Sequence, residues 1–146
     1  MRLPGTGGIP DVTVVSDKVY LYVPRHSPAI FVDRVDYVSG LGHIPGREHG
    51  SGPRYLVTDL GEFDWNGGIM RLVRRFPSVE AAHIQRKTGF PLAMSDAITE
   101  TPPPTAHELR LLREVIDPLG VRKLETLGGG ARKELLRTIL TAEQAR

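Results

Sequence analysis

The stretch RYLVTDLGEFDWNGGIMRLVRR, residues 54–75, decides the fold prediction. Its first part, residues 54–60, is rich in β-branched and aromatic residues and predicts a strand, which residues 63–65 would extend. Asn66-Gly67-Gly68 is a turn signal, because asparagine and glycine readily adopt positive φ. Residues 69–75 then return as another strand. The stretch therefore predicts a β-hairpin.

Segments on both sides of this hairpin extend the prediction. Residues 18–23 are β-branched and aromatic and predict a buried strand, and the alternating apolar positions of residues 29–38 predict another. Residues 90–94 form a short edge-like segment at best. Residues 4–11 and 40–53 are rich in glycine and proline, which predicts a loop able to approach a ligand closely and a long surface loop.

Three helices are predicted after the hairpin. Ser78 is the expected N-cap of a helix over residues 79–87, with Gly89 just beyond its end. Thr105 and Glu108 have the spacing of a capping box, and apolar residues recur after them at helical spacing up to Asp117-Pro118. Gly128-Gly129-Gly130 is expected to be a flexible hinge before a last helix, about residues 131–145, with one apolar stripe.

Composition excludes several classes of protein. The 146 residues suit one domain or less and contain no Cys, which excludes disulfides, a thiol nucleophile and Cys-ligated zinc. The net charge is +2 and no segment is strongly basic, so we expect no nucleic-acid partner. The N-terminal residues do not resemble a signal peptide and no apolar run could span a bilayer, so we expect a soluble, cytoplasmic protein without membrane association.

No self-contained catalytic set is evident from the residues alone. The five histidines form no tight ligand pair, so we expect surface histidines and no metal site. The serines lack a nucleophile-elbow motif. The carboxylates are expected to be solvated turn residues; they are Asp33, Asp36, Asp59, Glu62 and Asp64. The Gly5-Thr6-Gly7-Gly8 loop has no nucleotide-binding motif. On pattern alone a plain turn is favoured over a loop that presents N–H groups to an oxyanion.

Six segments, in order, resemble the β-type subunit of class I CoA transferases of the glutaconate CoA-transferase type. They cover residues 4 to about 122, which corresponds to the C-terminal half of such a subunit. Phe76 and Ser78 depart from the family pattern. The segments are Gly5–Asp11, Phe31–Ser39, Gly52–Asp64, Met70–Val79, Thr88-Gly89-Phe90 and Ile116-Asp117-Pro118.

The resemblance implies an α/β fold. We expect an open sheet with flanking helices, part of a CoA-transferase-like (NagB/RpiA/CoA transferase-like) domain, plus a C-terminal helix. Residues 1–126 would form the C-terminal part of the β-type domain. Residues 127–146 would form a Gly-hinged helical tail outside the family pattern.

The resemblance also implies a role. In active members a Glu attacks the acyl-CoA thioester, but the motif that carries it lies upstream of the Gly-rich loop, so we expect no catalytic residue in this chain. Gly5, Gly7 and Gly8 would line the acyl-CoA site, with coenzyme A thioester as substrate and no further cofactor. Ile9-Pro10 replaces a small residue and Asn, which removes a backbone N–H. The expected partner is an α-type subunit in a hetero-oligomer.

Three functions remain open at this point. The chain would be a component of a CoA transferase that moves CoA between an acyl-CoA and a carboxylic acid. Residues 38–42 are similar to a segment of related hydrolases that open a ring in a CoA thioester, so a hydrolase subunit is the second hypothesis. The third is a truncated, non-catalytic protein that binds an α-type subunit.

Overall fold

The structure is a computed structural model that describes residues 5–47, 50 and 52–145. The chain forms two compact units, Met1–Pro102 and Pro103–Arg146. The division expected between residues 126 and 127 concerns the extent of the family domain and stays a prediction.

The first unit is a mixed, open five-stranded sheet with two short helices. The strands lie in the order β1-β2-β3-β4-β5. β1 and β5 are parallel to their neighbours, whereas β2, β3 and β4 are successively antiparallel. In chain order the elements are α1 (Ile9–Val15), β1 (Val19–Val23), β2 (Pro53–Thr58), β3 (Gly61–Asn66), β4 (Ile69–Arg75), α2 (Ala81–Lys87) and β5 (Ala93–Glu100).

The predicted hairpin is confirmed across Asn66–Ile69, but residues 54–66 are not one strand. The chain reverses after Thr58, whose Oγ1 accepts hydrogen bonds from the amides of Leu60 at 3.1 Å and Gly61 at 3.3 Å. A Cβ on Gly61 would lie 2.5 Å from the carbonyl oxygen of Arg74, so only glycine fits this close approach. The expected extension by residues 63–65 is therefore wrong, because those residues belong to a separate antiparallel strand.

The strand predicted over residues 29–38 is absent. The amides of Ile30 and Phe31 both donate to the carbonyl oxygen of Ser27, which turns the chain before a strand can begin. Phe31 enters the core, whereas residues 32–38 are exposed. The β-branched composition was misleading here because a strand needs a neighbour that satisfies its backbone groups.

Two element boundaries also differ from the predictions. Ile9, Pro10 and Asp11, predicted as loop, form the first turn of α1, where a proline without an N–H is tolerated. Of the edge-like segment predicted at residues 90–94, Ala93 and Met94 are the start of β5, which is eight residues long and parallel to β4.

The predicted N-cap Ser78 is wrong by two residues, because α2 begins at Ala81 with Glu80 as its N-cap. The amide of Val79 donates to the carbonyl oxygen of Phe76 at 3.1 Å, so Phe76–Val79 is a β-turn with Pro77 second and Ser78 third. Ser78 has φ 66°, the left-handed value that a type II turn requires at its third position. Ser78, one of the two departures from the family pattern, therefore has a backbone conformation that glycine would adopt without strain.

The core lies on one face of the sheet. The strand registers place Leu56 opposite Phe63 and Phe63 opposite Leu72, and Ile84 of α2 packs over them. All four side chains are essentially buried. The resulting cluster, with Phe31 and Leu92, holds α2 and the turn after β1 against this face.

The second unit is helical. α3 (Ala106–Arg110) begins with the predicted capping box, in which Thr105 Oγ1 accepts from the amide of Glu108 and the Glu108 carboxylate accepts from the amide of Thr105. A π-helical turn (Leu111–Ile116) follows, and α4 (Gly129–Gln144) is the expected C-terminal helix. Gly129 and Gly130, predicted as hinge, lie in its first turn. None of the helices in the described part of the chain is long and apolar enough to cross a membrane.

Candidate functional site

The Gly-rich loop leads directly into α1. Gly7 has φ 59°, a left-handed conformation that glycine adopts without strain, and Gly8 is the residue before the helix. A Cβ built on Gly5, Gly7 or Gly8 would meet no atom within 4 Å. The backbone of all three glycines is therefore open to a ligand.

A cavity of about 500 Å³ lies beside this loop. Gly5, Thr6 and Ile9 line one side, and Tyr37 and Ser39 line the other. Gly7 and Gly8 follow Gly5 in the same loop. The structure thus brings together two segments that are distant in the sequence.

Packing on α1 fixes the second side of this cavity. A Cβ on Gly40 would lie 3.1 Å from Thr13 Cγ2 and 3.2 Å from Ile9 Cγ2, so the chain after Ser39 lies directly against the helix. The same helix carries the loop and supports the segment of Tyr37. Both sides of the cavity therefore depend on α1.

The loop offers backbone amides as hydrogen-bond donors. In the part of the chain that the structure describes, the amides of Gly7 and Gly8 donate no hydrogen bond. Pro10 contributes no N–H, as the sequence implied. Two free amides on an accessible backbone can donate to an oxyanion or a carbonyl oxygen.

The carboxylates singled out from the sequence do not form a catalytic pair. Glu62 accepts from Arg74 Nη1 at 3.1 Å and from Thr101 Oγ1 at 2.7 Å, and Asp64 forms a two-point ion pair with Arg71. The expectation that these are turn residues is wrong for Glu62 and Asp64, which lie within β3. Their pairing within the sheet indicates a structural role.

Asp33, Asp36 and Asp59 do not join the cavity either. Asp33 and Asp36 are exposed in the irregular segment after Phe31. Asp59 Oδ1 accepts from the amide of His26 at 2.7 Å and so fixes the turn between β2 and β3. None of the three lies among the residues that line the cavity.

His26 is the residue that sequence reasoning misjudged most, because it is buried rather than on the surface. Its ring stacks on Phe31 with centroids 3.9 Å apart. Its Nδ1 lies 3.2 Å from Thr58 Oγ1, and its Nε2 lies 3.0 Å from Thr88 Oγ1. The ring therefore joins the turn after β1 to the end of β2 and the end of α2.

Two threonine hydroxyls contact this ring. Thr88 Oγ1 donates to the carbonyl oxygen of Ile84, so it accepts from His26 Nε2–H. The single hydroxyl proton of Thr58 has two acceptors within reach, His26 Nδ1 at 3.2 Å and the carbonyl oxygen of Gly61 at 3.4 Å. Burial lowers the pKa of His26, and the Asp59 carboxylate partly opposes this effect. His26 is thus a neutral structural residue that anchors the start of the segment leading to Tyr37. The only signal in the sequence was its position just after the predicted strand of residues 18–23.

The other described histidines provide no metal site. His43 Nε2 donates to the carbonyl oxygen of Pro53 at 3.0 Å, and its ring lies 5.7 Å from that of Trp65. His49, which was grouped with His43, lies outside the described residues. Among residues 5–47, 50 and 52–145, no three His, Asp or Glu side chains lie close enough to hold a metal ion.

The chain is similar to subunits of two named enzymes. It is 30% identical over 122 residues to the B-type subunit of the 3-oxoadipate CoA-transferase of Pseudomonas knackmussii, covering 77% of this chain and 46% of that protein. It is 34% identical over 128 residues to the cholesterol ring-cleaving hydrolase IpdB subunit of Mycobacterium tuberculosis, covering 83% and 51%. The chain spans about half the length of these relatives. No protein-family model matches it.

Three solved structures show the same similarity at the level of the fold. Rhodococcus jostii RHA1 IpdAB matches with a TM-score of 0.72 and 33% identity over 84% of this chain and 52% of that one. The decarboxylase AibA/AibB gives 0.70 and 32% over 84% and 48%. Glutaconate coenzyme A-transferase from Acidaminococcus fermentans gives 0.69 and 27% over 81% and 48%.

The fold, the order of the motifs and these similarities agree. The chain matches about half of glutaconate coenzyme A-transferase, of IpdAB and of the decarboxylase AibA/AibB. The shared region is about half of each relative. The chain is therefore a CoA-transferase β-subunit-like protein that corresponds to about half of such a subunit.

Proposed function

We propose that this chain is a component of a CoA transferase, in which the loop with Gly5, Gly7 and Gly8 lines the acyl-CoA site. The observation that carries this proposal is the cavity of about 500 Å³ between that loop and Tyr37 and Ser39. Both sides of the cavity come from segments that resemble family motifs. A bound acyl-CoA would lie with its thioester against the loop.

The chemistry fits the exposed backbone. The free amides of Gly7 and Gly8 would donate to the thioester carbonyl oxygen, where negative charge develops when a nucleophile attacks. Glycine lets the thioester approach without a steric clash. The attacking carboxylate would come from the part of a β-type subunit that this chain does not match, since its own Glu62 and Asp64 are committed to ion pairs.

The proposed assembly is a hetero-oligomer in the cytoplasm. The similar proteins IpdAB and AibA/AibB each combine an A-type and a B-type subunit, which supports an α-type partner here. We expect no turnover by the purified chain alone.

A subunit of a ring-opening hydrolase is the second candidate. The observation that favours it is the 34% identity to a cholesterol ring-cleaving hydrolase subunit. Ser39 of the cavity belongs to residues 38–42, the segment that is similar in that branch. A non-catalytic protein that binds an α-type subunit is the remaining alternative.

Gly8→Val tests the role of the loop. Gly8 has φ −84°, which valine tolerates, whereas Gly7 would be strained by any side chain. The variant chain, purified with the proteins that bind it in its host, should assemble normally but lose at least about tenfold in acyl-CoA affinity, roughly 1.4 kcal/mol, by isothermal titration calorimetry.

Gly128→Val is the matched control. Gly128 is also open to solvent, has extended backbone geometry and lies in the other unit. Its variant should bind acyl-CoA like the wild type. Equal affinity of the Gly8→Val complex would remove the loop from the acyl-CoA site.

The same complex distinguishes the candidate functions. A transferase requires a carboxylate acceptor and forms an enzyme–CoA thioester that borohydride destroys. A hydrolase consumes the thioester or the ring without an acceptor. A complex that assembles but does neither would support the non-catalytic alternative.

A further inference from the structure

The C-terminal helix α4 carries apolar residues on an exposed side as well as on its buried side. Ile139 is 5% exposed, whereas Leu136 is 43% and Leu140 49% exposed. Leu136 and Leu140 are four residues apart, so they lie next to each other on one side of the helix, about 6 Å apart along its axis. We call this pair the leucine stripe. It is an apolar surface separate from the buried side of α4.

A groove of about 390 Å³ lies beside the leucine stripe. Leu124, which lines it, belongs to a short 3-10 helix, Val121–Glu125. The other lining residues belong to the N-terminal half of α4, and they are Gly129, Arg132, Lys133 and Leu136. The groove therefore suits a ligand that combines an apolar group with a negative charge.

The charges of α4 oppose its own dipole. The first turn contains no acidic residue, and the basic residues Arg132 and Lys133 follow it. The last turn contains no basic residue and includes the acidic Glu143. Acidic residues stabilise the N-terminal end of a helix and basic residues the C-terminal end, so α4 has the unfavourable arrangement. A second helix that lies antiparallel to α4 with the same charges would compensate both ends.

These charges are also available to a partner. Arg132, Lys133 and Glu143 are exposed, and none of them forms an ion pair with another residue that the structure describes. The two signs are separated along the helix, with the basic pair near one end and Glu143 near the other. The surface is therefore complementary to a copy of itself that runs in the opposite direction.

The C-terminal half of α4 has the groups that the groove requires. Leu140 and Glu143 are three residues apart and share one side of the helix. With a two-fold axis level with Thr138, Leu140 of one copy lies opposite Leu136 of the other. The same axis sets Glu143 opposite Lys133. Because two-fold symmetry repeats each contact, the interface would contain two leucine contacts and two ion pairs.

We propose that two copies of this chain associate through antiparallel α4 helices, with the C-terminal half of each α4 in the groove of the other. Parallel helices would set Lys133 beside Lys133 and Glu143 beside Glu143, which like-charge repulsion opposes. α4 lies beyond the six segments that resemble the transferase family, which end at about residue 122. The interface therefore goes beyond the proposed acyl-CoA chemistry.

A helix of a different protein fits this surface less well. An acidic amphipathic helix would fill the groove at the N-terminal half of α4. It would leave Leu140 and Glu143 of the C-terminal half without a partner. A second copy of α4 satisfies both halves at the same time.

Sedimentation equilibrium of the purified full-length chain tests the association. We expect a reversible equilibrium between the monomer and a dimer of twice the 16.1 kDa chain mass. The contact is short, so the dissociation constant should lie in the micromolar range. Lys133→Glu and Glu143→Lys should each weaken the dimer by about tenfold, because each replaces two attractions by two repulsions.

The double variant, Lys133→Glu with Glu143→Lys, tests the antiparallel register. It exchanges the two charges and restores both ion pairs, so its dissociation constant should lie within about threefold of the wild-type value. Leu140→Lys should abolish the dimer, because it places a charge against the apolar part of the groove. Circular dichroism melts check that each variant is folded.

Glu134→Lys is the matched control. Glu134 is an exposed acidic residue of α4 on the side away from the leucine stripe, and its reversal changes the net charge as Glu143→Lys does. This variant should dimerise like the wild type. A chain that stays monomeric, a dimer that the single reversals do not weaken, a double variant that stays weak, or an equal loss in Glu134→Lys would each overturn the proposal.

The outcome is independent of the proposed acyl-CoA site, since the assay contains no CoA thioester and no α-type subunit. Gly8→Val should dimerise like the wild type. Association through the sheet of the Met1–Pro102 unit would not respond to the charges at Lys133 and Glu143, so it would count against the α4 interface. A failure of the acyl-CoA site and a failure of this interface are therefore distinguishable.

Discussion

α2 covers one face of the sheet and the other face is open, although neighbouring residues of the same strand are similarly apolar. Leu56 is 2% exposed on the face that α2 covers, whereas its neighbour Tyr55 is 50% exposed on the other. Tyr55, Leu56 and Val57 are all apolar or aromatic, a pattern typical of a strand that is buried on both sides. In the described part of the Met1–Pro102 unit, only one of these sides is covered.

Because of this difference, we expect the covered face to determine the stability of the fold and the open face to determine assembly with a partner. Burial of apolar surface stabilises the folded unit only where a second layer excludes water. On the covered face the apolar residues hold the unit together. On the open face we expect them to contribute little until a partner binds.

The largest change in the free energy of unfolding is expected from a substitution at the centre of the covered face. Phe63 is 0% exposed, and Phe63→Ala should lower the free energy of unfolding by about 3–5 kcal/mol. Tyr22→Ala on the open face should change it by no more than about 0.5 kcal/mol. Urea unfolding followed by the fluorescence of Trp65, the single tryptophan, measures both. Equal losses would contradict the contrast between the faces.

A smaller effect is expected at the turn that leads to α2. Ser78→Gly should raise the free energy of unfolding by about 1 kcal/mol, because serine at φ 66° is strained and glycine is not. Ser95→Gly, within β5, should instead lower it, since glycine weakens a strand. The same urea experiment tests both. A loss of stability in Ser78→Gly would show that the turn is not strained.

The smallest effect should be a pH dependence from His26. Burial lowers its pKa in the folded state below the unfolded value of about 6.5. The unfolded state therefore binds more protons as the pH falls, and the stabilisation that is complete above the unfolded pKa is lost as the pH decreases toward the folded pKa. Urea unfolding at a series of pH values should show this loss, and His26→Gln should remove it. An identical pH profile for the variant would exclude His26 as the source.

Local sequence signals predicted part of the fold correctly. The Asn66-Gly67-Gly68 turn and the Thr105–Glu108 capping box are confirmed. The strand predicted over residues 18–23 is confirmed as β1, but its expected burial is wrong, because none of its five residues is buried. Each depends on backbone preferences within a few residues. Such preferences are visible without knowledge of distant contacts.

The wrong predictions concern segments whose neighbours are distant in the sequence. Residues 29–38 have the composition of a strand, but Phe31 is drawn into the core by stacking on His26 and by a hydrogen bond from the amide of Gly89. β5 was predicted only as a short edge-like segment, because α2 separates it in the sequence from β4, the strand with which it pairs. Neither arrangement leaves a periodic signal in the chain.

The candidate site, too, was predicted only in part from the sequence. The sequence singled out Gly5, Gly7 and Gly8 through a resemblance, and the structure gives them an accessible backbone. Their role in acyl-CoA binding stays a prediction. The approach of Tyr37 and Ser39 to this loop could not be predicted from spacing, because α1 was not predicted and it is the element against which both segments pack.

The sequence by itself determined the family resemblance, the central hairpin, the Gly-rich loop and the absence of cysteine chemistry, because each depends on residue identity or on short-range backbone preference. Only the tertiary structure decided that Glu62 and Asp64 are ion-paired, that His26 is buried and neutral, and that β1 is left uncovered. These properties arise where strands meet and water is excluded or admitted, which no single segment specifies.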